Sequence, residues 1–325
     1  MSVTFNIDKT KKIYLAGHTG LIGSTIFKRL VESNFKNILC NSHKDLDLTR
    51  QSEVEAFFKK EKPDYVILAA ARVGGIYANS RYPASFIYEN LMIQSNVIHA
   101  AYLYGVKKLL FFGSACSYPR DSLQPMKEEY TLQGPLEPTN EPYAIAKIAG
   151  ITMCRSYNRQ YQTQFMCAVP TNAYGPNDNF DPDDSHVIPA LLRKFHKAKV
   201  EGENEVVIWG SGLPLREFIH ADDVADAVLF LLGIDTSFDM VNIGSGEEIS
   251  ISNLVSIVKD VVGYKGNIIF DTTRPDGMFR KVLDVSIMTG LGWNKKMSLI
   301  DGIRDMYLWF VNHERDIERK WQIKN

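Results

Sequence analysis

Two side chains four positions apart, Tyr143 and Lys147, have the types and spacing of an acid–base pair. Their segment predicts a helix that begins just after Pro142, and a four-residue spacing places both side chains on one helical face. A phenol has a pKa of about 10, and a neighbouring ammonium group favours its deprotonated form. Such a phenol can give a proton to a carbonyl oxygen or take one from an alcohol. Taken alone, the pattern also fits an ordinary helix on which a tyrosine and a lysine meet.

Ser114 is a third candidate because of its place after a predicted strand. It follows the apolar run 109–112, which predicts a buried strand with Ser114 at its carboxyl end. Open α/β sheets bind their ligands at that edge. The stretch from Ser114 to Tyr143 is interrupted by five prolines, and so long an irregular loop in a compact domain is usually functional.

A glycine loop near the N-terminus predicts a dinucleotide-binding site. The apolar segment 12–16 predicts a buried strand, which leads into glycines at every third position and then into a helix. In that context the glycines allow a tight turn, and a pyrophosphate lies on the helix N-terminus. A glycine turn that only joins two packed elements is the alternative. The candidate cofactor residues in the loop are Gly17, His18, Thr19, Gly20, Leu21, Ile22 and Gly23.

The residues after the second predicted strand, 37–40, favour NADP(H) over NAD(H). NAD enzymes usually place a carboxylate about twenty residues past the glycine loop. Ser42, His43 and Lys44 instead offer hydroxyl, imidazole and ammonium groups, which suit a 2′-phosphate. The alternative is that His43 and Lys44 form a solvated loop tip. The third predicted strand, 64–71, ends in small residues that let a cofactor lie close, namely Ala69, Ala70 and Ala71.

Strands alternate with helices along the chain, and this order predicts an α/β fold with a doubly wound parallel sheet. At 325 residues the chain exceeds a typical single core, so a second, smaller domain is expected. We assign residues 1–175 and about 216–245 to a dinucleotide-binding domain, and about 176–215 and 246–325 to a smaller C-terminal α/β substrate domain.

Composition and charge make several classes of protein unexpected. A net charge of −1 gives no broad basic field, so nucleic acid is not an expected partner. Nowhere do eighteen apolar residues run together, and the polar segment 1–12 has no signal core, so no membrane association is expected. The four cysteines form no close metal-type pair, and no metal site is expected. These features predict a reduced, cytoplasmic protein.

Several runs resemble the extended short-chain dehydrogenase/reductases, over nearly the whole chain. The runs are 16–18, 72–75, 136–147, 170–172, 178–180, 185–192, 209–212, 216–218 and 275–277. Within that family the chain is most similar to the branch that epimerises and reduces GDP-4-keto-6-deoxy-D-mannose. The resemblance implies a Rossmann domain, NADP(H) as cofactor and a homodimer formed through the helices near Asn90 and Tyr143. Asn90 itself has two open interpretations, a core residue or a support for the cofactor.

The resemblance implies a role for each catalytic candidate. Cys116 and His186 would exchange protons at C3 and C5 of the sugar, with Cys116 as the base and His186 as the acid. Thiol and imidazole groups ordinarily titrate at about 8.5 and about 6.5, which suits exchange near neutral pH. Tyr143 would protonate the C4 oxygen during hydride transfer, and Ser114 would hydrogen-bond that oxygen. Lys147 would hold the nicotinamide ribose and lower the pKa of Tyr143.

The resemblance also implies the nucleotide contacts. The further cofactor residues are Tyr143, Lys147, Pro170, Thr171, Asn172, Ala173 and His186. The residues for the GDP-linked 4-keto sugar are Asn172, Lys194, Trp209, Arg216, Asp276 and Lys281. Cations suit a diphosphate, an aromatic ring can stack on guanine, and Asp276 can meet the ribose hydroxyls.

Two departures from the family pattern concern cations. Thr19 stands where bacterial members often have arginine, and they often have another arginine near the position of His43; both bear on the 2′-phosphate. Lys194 replaces a frequent arginine by a point charge. Two alternative functions stay open at this stage. One is an enzyme with the same site for another GDP-4-keto sugar, such as a heptose, which it reduces with or without epimerisation. The other is a catalytically silent dinucleotide sensor, against which the intact Ser114, Tyr143 and Lys147 argue.

Overall fold

The computed structural model describes residues 7–181, 184–235, 238–274 and 276–322. Pro275, in one of the runs that carry the family resemblance, lies outside the described residues. So do the first half of the polar segment 1–12 and residues 182–183. Within the described residues, no helix has the length and apolar character needed to cross a membrane.

Strands and helices alternate along the chain, as the sequence predicts. The strands are β1 (Lys12–Ala16), β2 (Asn37–Leu39), β3 (Tyr65–Leu68), β4 (Lys108–Phe112), β5 (Phe165–Pro170), β6 (Asn172–Tyr174), β7 (Glu205–Trp209), β8 (Leu215–His220), β9 (Met240–Ile243), β10 (Glu248–Ser250), β11 (Asn267–Asp271) and β12 (Arg280–Lys281). The helices are α1 (Leu21–Glu32), α2 (Gln51–Glu61), α3 (Ile76–Arg81), α4 (Pro83–Leu103), α5 (Glu141–Tyr161), α6 (Val187–Glu201), α7 (Ala221–Gly233), α8 (Ile251–Val262), α9 (Ser286–Gly290) and α10 (Leu299–Gln322).

The central sheet has six parallel strands in the order β2-β1-β3-β4-β5-β9. Alternate residues of one strand enter different apolar clusters. In β4, Leu109 and Phe111 pack with residues of α2, α4 and α5, whereas Leu110 and Phe112 pack with residues of α1 and α7. Both faces of the sheet are therefore covered, which explains why its strands are apolar throughout rather than alternating. The predicted doubly wound parallel sheet is confirmed.

The strand order reverses at β1, which pairs with β2 on one side and β3 on the other. Such a reversal opens a crevice beyond the carboxyl ends of the strands, where ligands bind in this class of fold. The glycine loop after β1, the alanines after β3 and Ser114 after β4 all lie at this edge.

A smaller part of the molecule is built around β8. This strand pairs with β6, β10 and β12, while β7 and β11 form a separate parallel pair. A third apolar cluster joins α6, α8 and α10 through residues such as Phe195, Leu254 and Met306. This part positions the segments that carry Trp209, Arg216 and Lys281.

The predicted third strand is shorter than expected, because β3 ends at Leu68 and not at Ala71. The amide of Ala69 makes a last bond to the carbonyl of Ala16 at 3.0 Å. The chain then leaves the sheet, and Arg72 is held instead by the side chain of Asn90, whose Oδ1 accepts from its amide at 3.0 Å. Buried Asn90 thus anchors the segment that follows the strand.

Candidate active site and nucleotide cleft

The glycine loop comes so close to its neighbours that side chains would not fit. Gly17 has a φ of +88°, and a Cβ there would lie 2.6 Å from the amide nitrogen of Ala70. A Cβ on Gly23 would lie 1.9 Å from the carbonyl oxygen of Gly17. The N-terminus of α1 has no side-chain cap from Gly20 and no acidic residue in its first turn. Its amides are therefore arranged to receive a pyrophosphate, which fits a dinucleotide cofactor.

His18 in the same loop has a buried Nδ1 without a hydrogen-bond partner among the described residues. A buried polar atom of this kind usually has a partner in the functional state. The loop therefore offers both backbone amides and a ring nitrogen to a ligand at the crevice.

The segment after β2 holds the candidate 2′-phosphate residues in different ways. His43 and Lys44 are exposed, and the Nδ1 of His43 lies 3.9 Å from a carboxylate oxygen of Asp47. Ser42 donates its hydroxyl to Asp45 at 2.6 Å. The sequence analysis does not single out Asp45, although it fixes the conformation of this candidate phosphate-binding loop.

Tyr143 and Lys147 lie on one face of α5, next to the end of β4. Lys147 is almost fully buried, and its Nζ donates to the carbonyl of Phe112 at 2.8 Å. The same nitrogen lies 5.7 Å from the centre of the Tyr143 ring. The Ser114 side chain lies close to the Tyr143 hydroxyl. The structure thus brings Ser114, Tyr143 and Lys147 together.

Burial decides the protonation of both groups. It raises the pKa of Tyr143 far above its ordinary value; the charge of Cys116 adds to that rise, and the Ser114 side chain lowers it in part. Burial lowers the pKa of Lys147 to about 8. The expected lowering of the Tyr143 pKa by Lys147 is not found, because Lys147 is directed to the Phe112 carbonyl and burial dominates. Tyr143 consequently keeps its proton at neutral pH.

Cys116 lies on the short 3-10 turn 115–117 that follows Ser114. The hydroxyl of Ser114 accepts from the Cys116 amide at 3.2 Å and so fixes the turn. The sulfur accepts a hydrogen bond from Nδ2 of Asn140 at 3.2 Å, and Nζ of Lys281 lies 3.9 Å from it. The thiol is therefore surrounded by donors.

His186 is the residue that precedes α6, and it lines a cavity of the smaller part. It is exposed towards the cleft, yet the protein atoms around its imidazole lower its pKa. The charge of Lys281 lowers this pKa further, whereas that of Asp184 raises it. Lys281 thus acts on both Cys116 and His186, which places the two candidate proton-exchanging groups around one region.

A cavity of about 340 Å³ holds most of the candidate substrate residues. Those among its lining residues are Asn172, Trp209, Arg216 and Asp276, and the catalytic candidate His186 lines the cavity beside them. The Trp209 ring is 67% exposed, and the guanidinium of Arg274 lies 5.0 Å from its centre. Asp276 accepts hydrogen bonds from the amide and hydroxyl of Ser211 at 2.9 and 2.6 Å. The cavity combines the aromatic ring of Trp209 with the guanidinium of Arg216, and this combination suits a nucleotide.

Two of the six substrate candidates, Lys281 and Lys194, are not among these lining residues, and Lys194 is held at β7. Its Nζ donates to the carbonyl of Val207 on β7. The segment 170–173, in contrast, lies at the sheet edge between the two parts. Thr171 is buried and its amide donates to Ile243 at 2.9 Å, while Asn172 is exposed and its Nδ2 donates to Glu217 at 2.8 Å.

Known proteins are similar to this chain over most of its length. The model of the NAD-dependent epimerase/dehydratase family matches residues 13–244. GDP-L-fucose synthase 1 of Arabidopsis thaliana is 56% identical over 306 residues, covering 94% of this chain and 95% of that protein.

Two solved structures are similar over nearly their whole length. A GDP-6-OMe-4-keto-L-xylo-heptose reductase from C. jejuni is 41% identical with a TM-score of 0.89, covering 95% of this chain and 99% of that one. A GDP-L-fucose synthetase from Naegleria fowleri, bound to NADP, is 28% identical with a TM-score of 0.88, covering 95% of this chain and 97% of that one.

Proposed function

The chain belongs to the NAD-dependent epimerase/dehydratase family, and for that reason we propose that it is an NADPH-dependent 3,5-epimerase and 4-reductase. It converts GDP-4-keto-6-deoxy-D-mannose to GDP-L-fucose, in keeping with its A. thaliana relative, a GDP-L-fucose synthase. One observation carries the proposal. Ser114, Cys116 and Tyr143 meet at the carboxyl end of β4, where two hydroxyls and a thiol serve both half-reactions.

The epimerisation follows from the acidity of the hydrogens beside the ketone. Cys116, as its thiolate, takes the proton from C3 or C5, and the electron pair moves to the C4 oxygen. The hydroxyls of Ser114 and Tyr143 stabilise this enolate by hydrogen bonds. His186 returns a proton to the opposite face, so the sugar changes its configuration and keeps its composition.

The reduction uses the same two hydroxyls. Hydride for C4 comes from NADPH when that cofactor is bound. Tyr143 retains its proton at neutral pH because burial raises its pKa, and it delivers this proton to the C4 oxygen. Lys147 lies on the same face of α5, where its ammonium can hold the nicotinamide ribose. Charge develops on the C4 oxygen in both half-reactions, so one pair of hydroxyls supports each.

The nucleotide contacts are part of this proposal. The residues that would hold the cofactor are Gly17, His18, Thr19, Gly20, Leu21, Ile22, Gly23, Ser42, His43, Lys44, Ala69, Ala70, Ala71, Pro170, Thr171, Asn172 and Ala173. For the substrate, Trp209 would stack on guanine, and Arg216 would meet the diphosphate. The Asp276 carboxylate accepts from Ser211 and can accept further hydrogen bonds, which the ribose hydroxyls would donate. Lys194 would have to leave the Val207 carbonyl to reach the same diphosphate.

A second function has a specific observation in its favour. The C. jejuni structure, a heptose reductase, is 41% identical to this chain. An enzyme with the same site could therefore reduce a GDP-4-keto heptose. The presence of Cys116 and His186, which share Lys281 as a charged neighbour, favours the epimerising enzyme, because reduction alone needs neither group.

Turnover in heavy water tests the proposal. With GDP-4-keto-6-deoxy-D-mannose and NADPH, the product should carry deuterium at C3 and C5, as mass spectrometry and NMR will show. Cys116→Ser should slow this exchange at least about a hundredfold and leave NADPH binding unchanged. Tyr143→Phe should block reduction and still permit exchange. A wild-type product without deuterium at either carbon would show that the enzyme catalyses reduction without epimerisation.

Assembly, domain division and location complete the proposal. A homodimer through α4 and α5 is supported by large apolar side chains that these helices leave exposed, among them Tyr88 and Ile145. The six-stranded sheet with residues 1–175 and about 216–245 would form the cofactor domain, and the remainder the substrate domain. Four free cysteines support a cytoplasmic location.

A further inference from the structure

Lys281 stands next to the sulfur that the epimerisation uses. Its Nζ lies 3.9 Å from Sγ of Cys116. The residue is half-buried on β12, where its backbone pairs with Arg216 of β8. Asn140, at the end of the 3-10 turn before α5, donates to the same sulfur at 3.2 Å. A cation and a neutral donor therefore converge on one thiol.

The charges around Cys116 and His186 act in opposite directions. The described groups concerned are Lys281 from β12, Asp184 from the segment before α6, and Tyr143 from α5. Lys281 favours a negative sulfur and disfavours a positive imidazole, whereas Asp184 favours a positive imidazole. Tyr143 keeps its proton at neutral pH and adds no charge. Burial lowers the pKa of His186 overall, Asp184 opposes that lowering and Lys281 adds to it, so the charge of Lys281 is the one that is suited to the sulfur and not to the imidazole.

We propose that Lys281 is a positioning residue that holds Cys116 as a thiolate, with Asn140 as the second donor to the sulfur. The inference rests on the proposed function, in which the thiolate must be present before the sugar proton is removed. The family resemblance connects Lys281 with the substrate; the 3.9 Å distance gives it a separate task at the sulfur. An opposite charge within about 4–6 Å typically favours ionisation by tenfold or more.

Alkylation of Cys116 by iodoacetamide tests the inference without substrate, because the thiolate is the reactive form. Cys116→Ser gives the background from the other three cysteines. At about pH 7, Lys281→Met is expected to react about tenfold more slowly than wild type, and Lys281→Arg nearly as fast as wild type. At about pH 10, where thiols ionise without help, all these proteins except Cys116→Ser should react alike.

The matched control is Arg280→Met, on the same short strand. Arg280 pairs with Glu248 at 2.6 Å, so its loss removes a neighbouring positive charge that does not touch the sulfur. It should alkylate like wild type at both pH values. Deuterium exchange at C3 and C5 should fall in Lys281→Met and recover in Lys281→Arg.

Two results would overturn the inference. One is an equal rate for Lys281→Met and wild type at about pH 7. The other is the same slowing at both pH values, which would show that Lys281 acts through packing. A wild-type enzyme that exchanges no deuterium would instead remove the proposed function and leave the alkylation result standing.

Discussion

Burial acts in opposite directions on the two groups that share one face of α5. It raises the pKa of Tyr143 and lowers that of Lys147 to about 8. The phenol of Tyr143 therefore stays protonated over the pH range in which enzyme activity is usually measured. The ammonium group is mostly charged at neutral pH and loses its charge as the pH rises through its lowered pKa. Any function that needs the Lys147 charge must weaken in that range.

Cofactor affinity should reveal this loss of charge. If Lys147 holds the nicotinamide ribose, the affinity for NADPH should fall several-fold as the pH rises through about 8, measured by fluorescence titration. Lys147→Arg should bind equally well across the range, because a guanidinium keeps its charge. Lys147→Met should bind weakly at every pH. A wild-type affinity that stays constant across the same range would contradict the assignment.

The protonation of His186 should respond to its two charged neighbours with opposite signs. Asp184 raises the pKa of His186 and Lys281 lowers it. Asp184→Asn should therefore lower this pKa further, while its Oδ1 can still accept from the amide of Gly75. Lys281→Met should raise it. NMR titration of the imidazole protons measures both shifts, and exposed Asp121→Asn, which should cause none, is the control.

Sequence could name the candidate reacting side chains and could not name the groups around them. Ser114, Tyr143 and Lys147 follow from a strand end and a helical spacing, both local patterns. Asn140 meets Cys116 across 24 positions, and Asp184 meets Gly75 across 109. Such contacts depend on how the loops fold over the sheet edge, and no spacing in the chain reports them.

The helix α5 can position Lys147 only because it lies very close to β4. Gly150, three residues after Lys147, faces the ring of Phe111. A Cβ at this position would lie 2.6 Å from that ring and 2.9 Å from Oε1 of Gln94. The missing side chain thus lets the helix approach the strand whose last carbonyl receives the Lys147 ammonium.

Gly150→Ala should test this close packing. The added methyl group has no room, so we expect a loss of about 1–3 kcal/mol in the free energy of unfolding, measured with urea. Gly290→Ala is the control, since a Cβ there would meet nothing within 4 Å. It should be neutral or slightly stabilising. Equal stability for the two variants would show that α5 can move away from β4 without cost.

Elements were easier to predict than their pairing. The segment for β1 matches the sequence prediction at both ends, because an apolar run and the glycine that follows it mark its limits. The end of β3 did not follow from the sequence, since its alanines continue the apolar run after the ladder stops at Leu68. The place of β8 beside β6, β10 and β12 depends on pairing between distant segments, which a local pattern does not contain.

On the scale of the whole molecule, buried Glu217 joins the parts that carry the site. Its carbonyl accepts from Asn172 at the sheet edge, and its carboxylate accepts from the amides of Gly246 and Leu283, each at 2.8 Å. The carboxylate thus fixes the segment just after Lys281, while the carbonyl fixes the edge where the cofactor is expected. Glu217 therefore helps to position both Lys281, the cation next to the Cys116 sulfur, and the edge of the nucleotide crevice.

The proposed homodimer is a property of the whole molecule that single substitutions can break. Ile145 on α5 is 42% exposed although it is large and apolar, as expected for a side chain covered by a second copy. Ile145→Lys should therefore raise the dissociation constant of the dimer at least about tenfold, because a charge would be buried against an apolar partner surface. Sedimentation analysis across a range of concentrations measures this constant. Leu308→Lys, at a 58% exposed position of α10, should leave it unchanged. A wild-type protein that sediments as a monomer at every concentration would exclude the dimer, and the exposed side chains of α4 and α5 would then need another explanation.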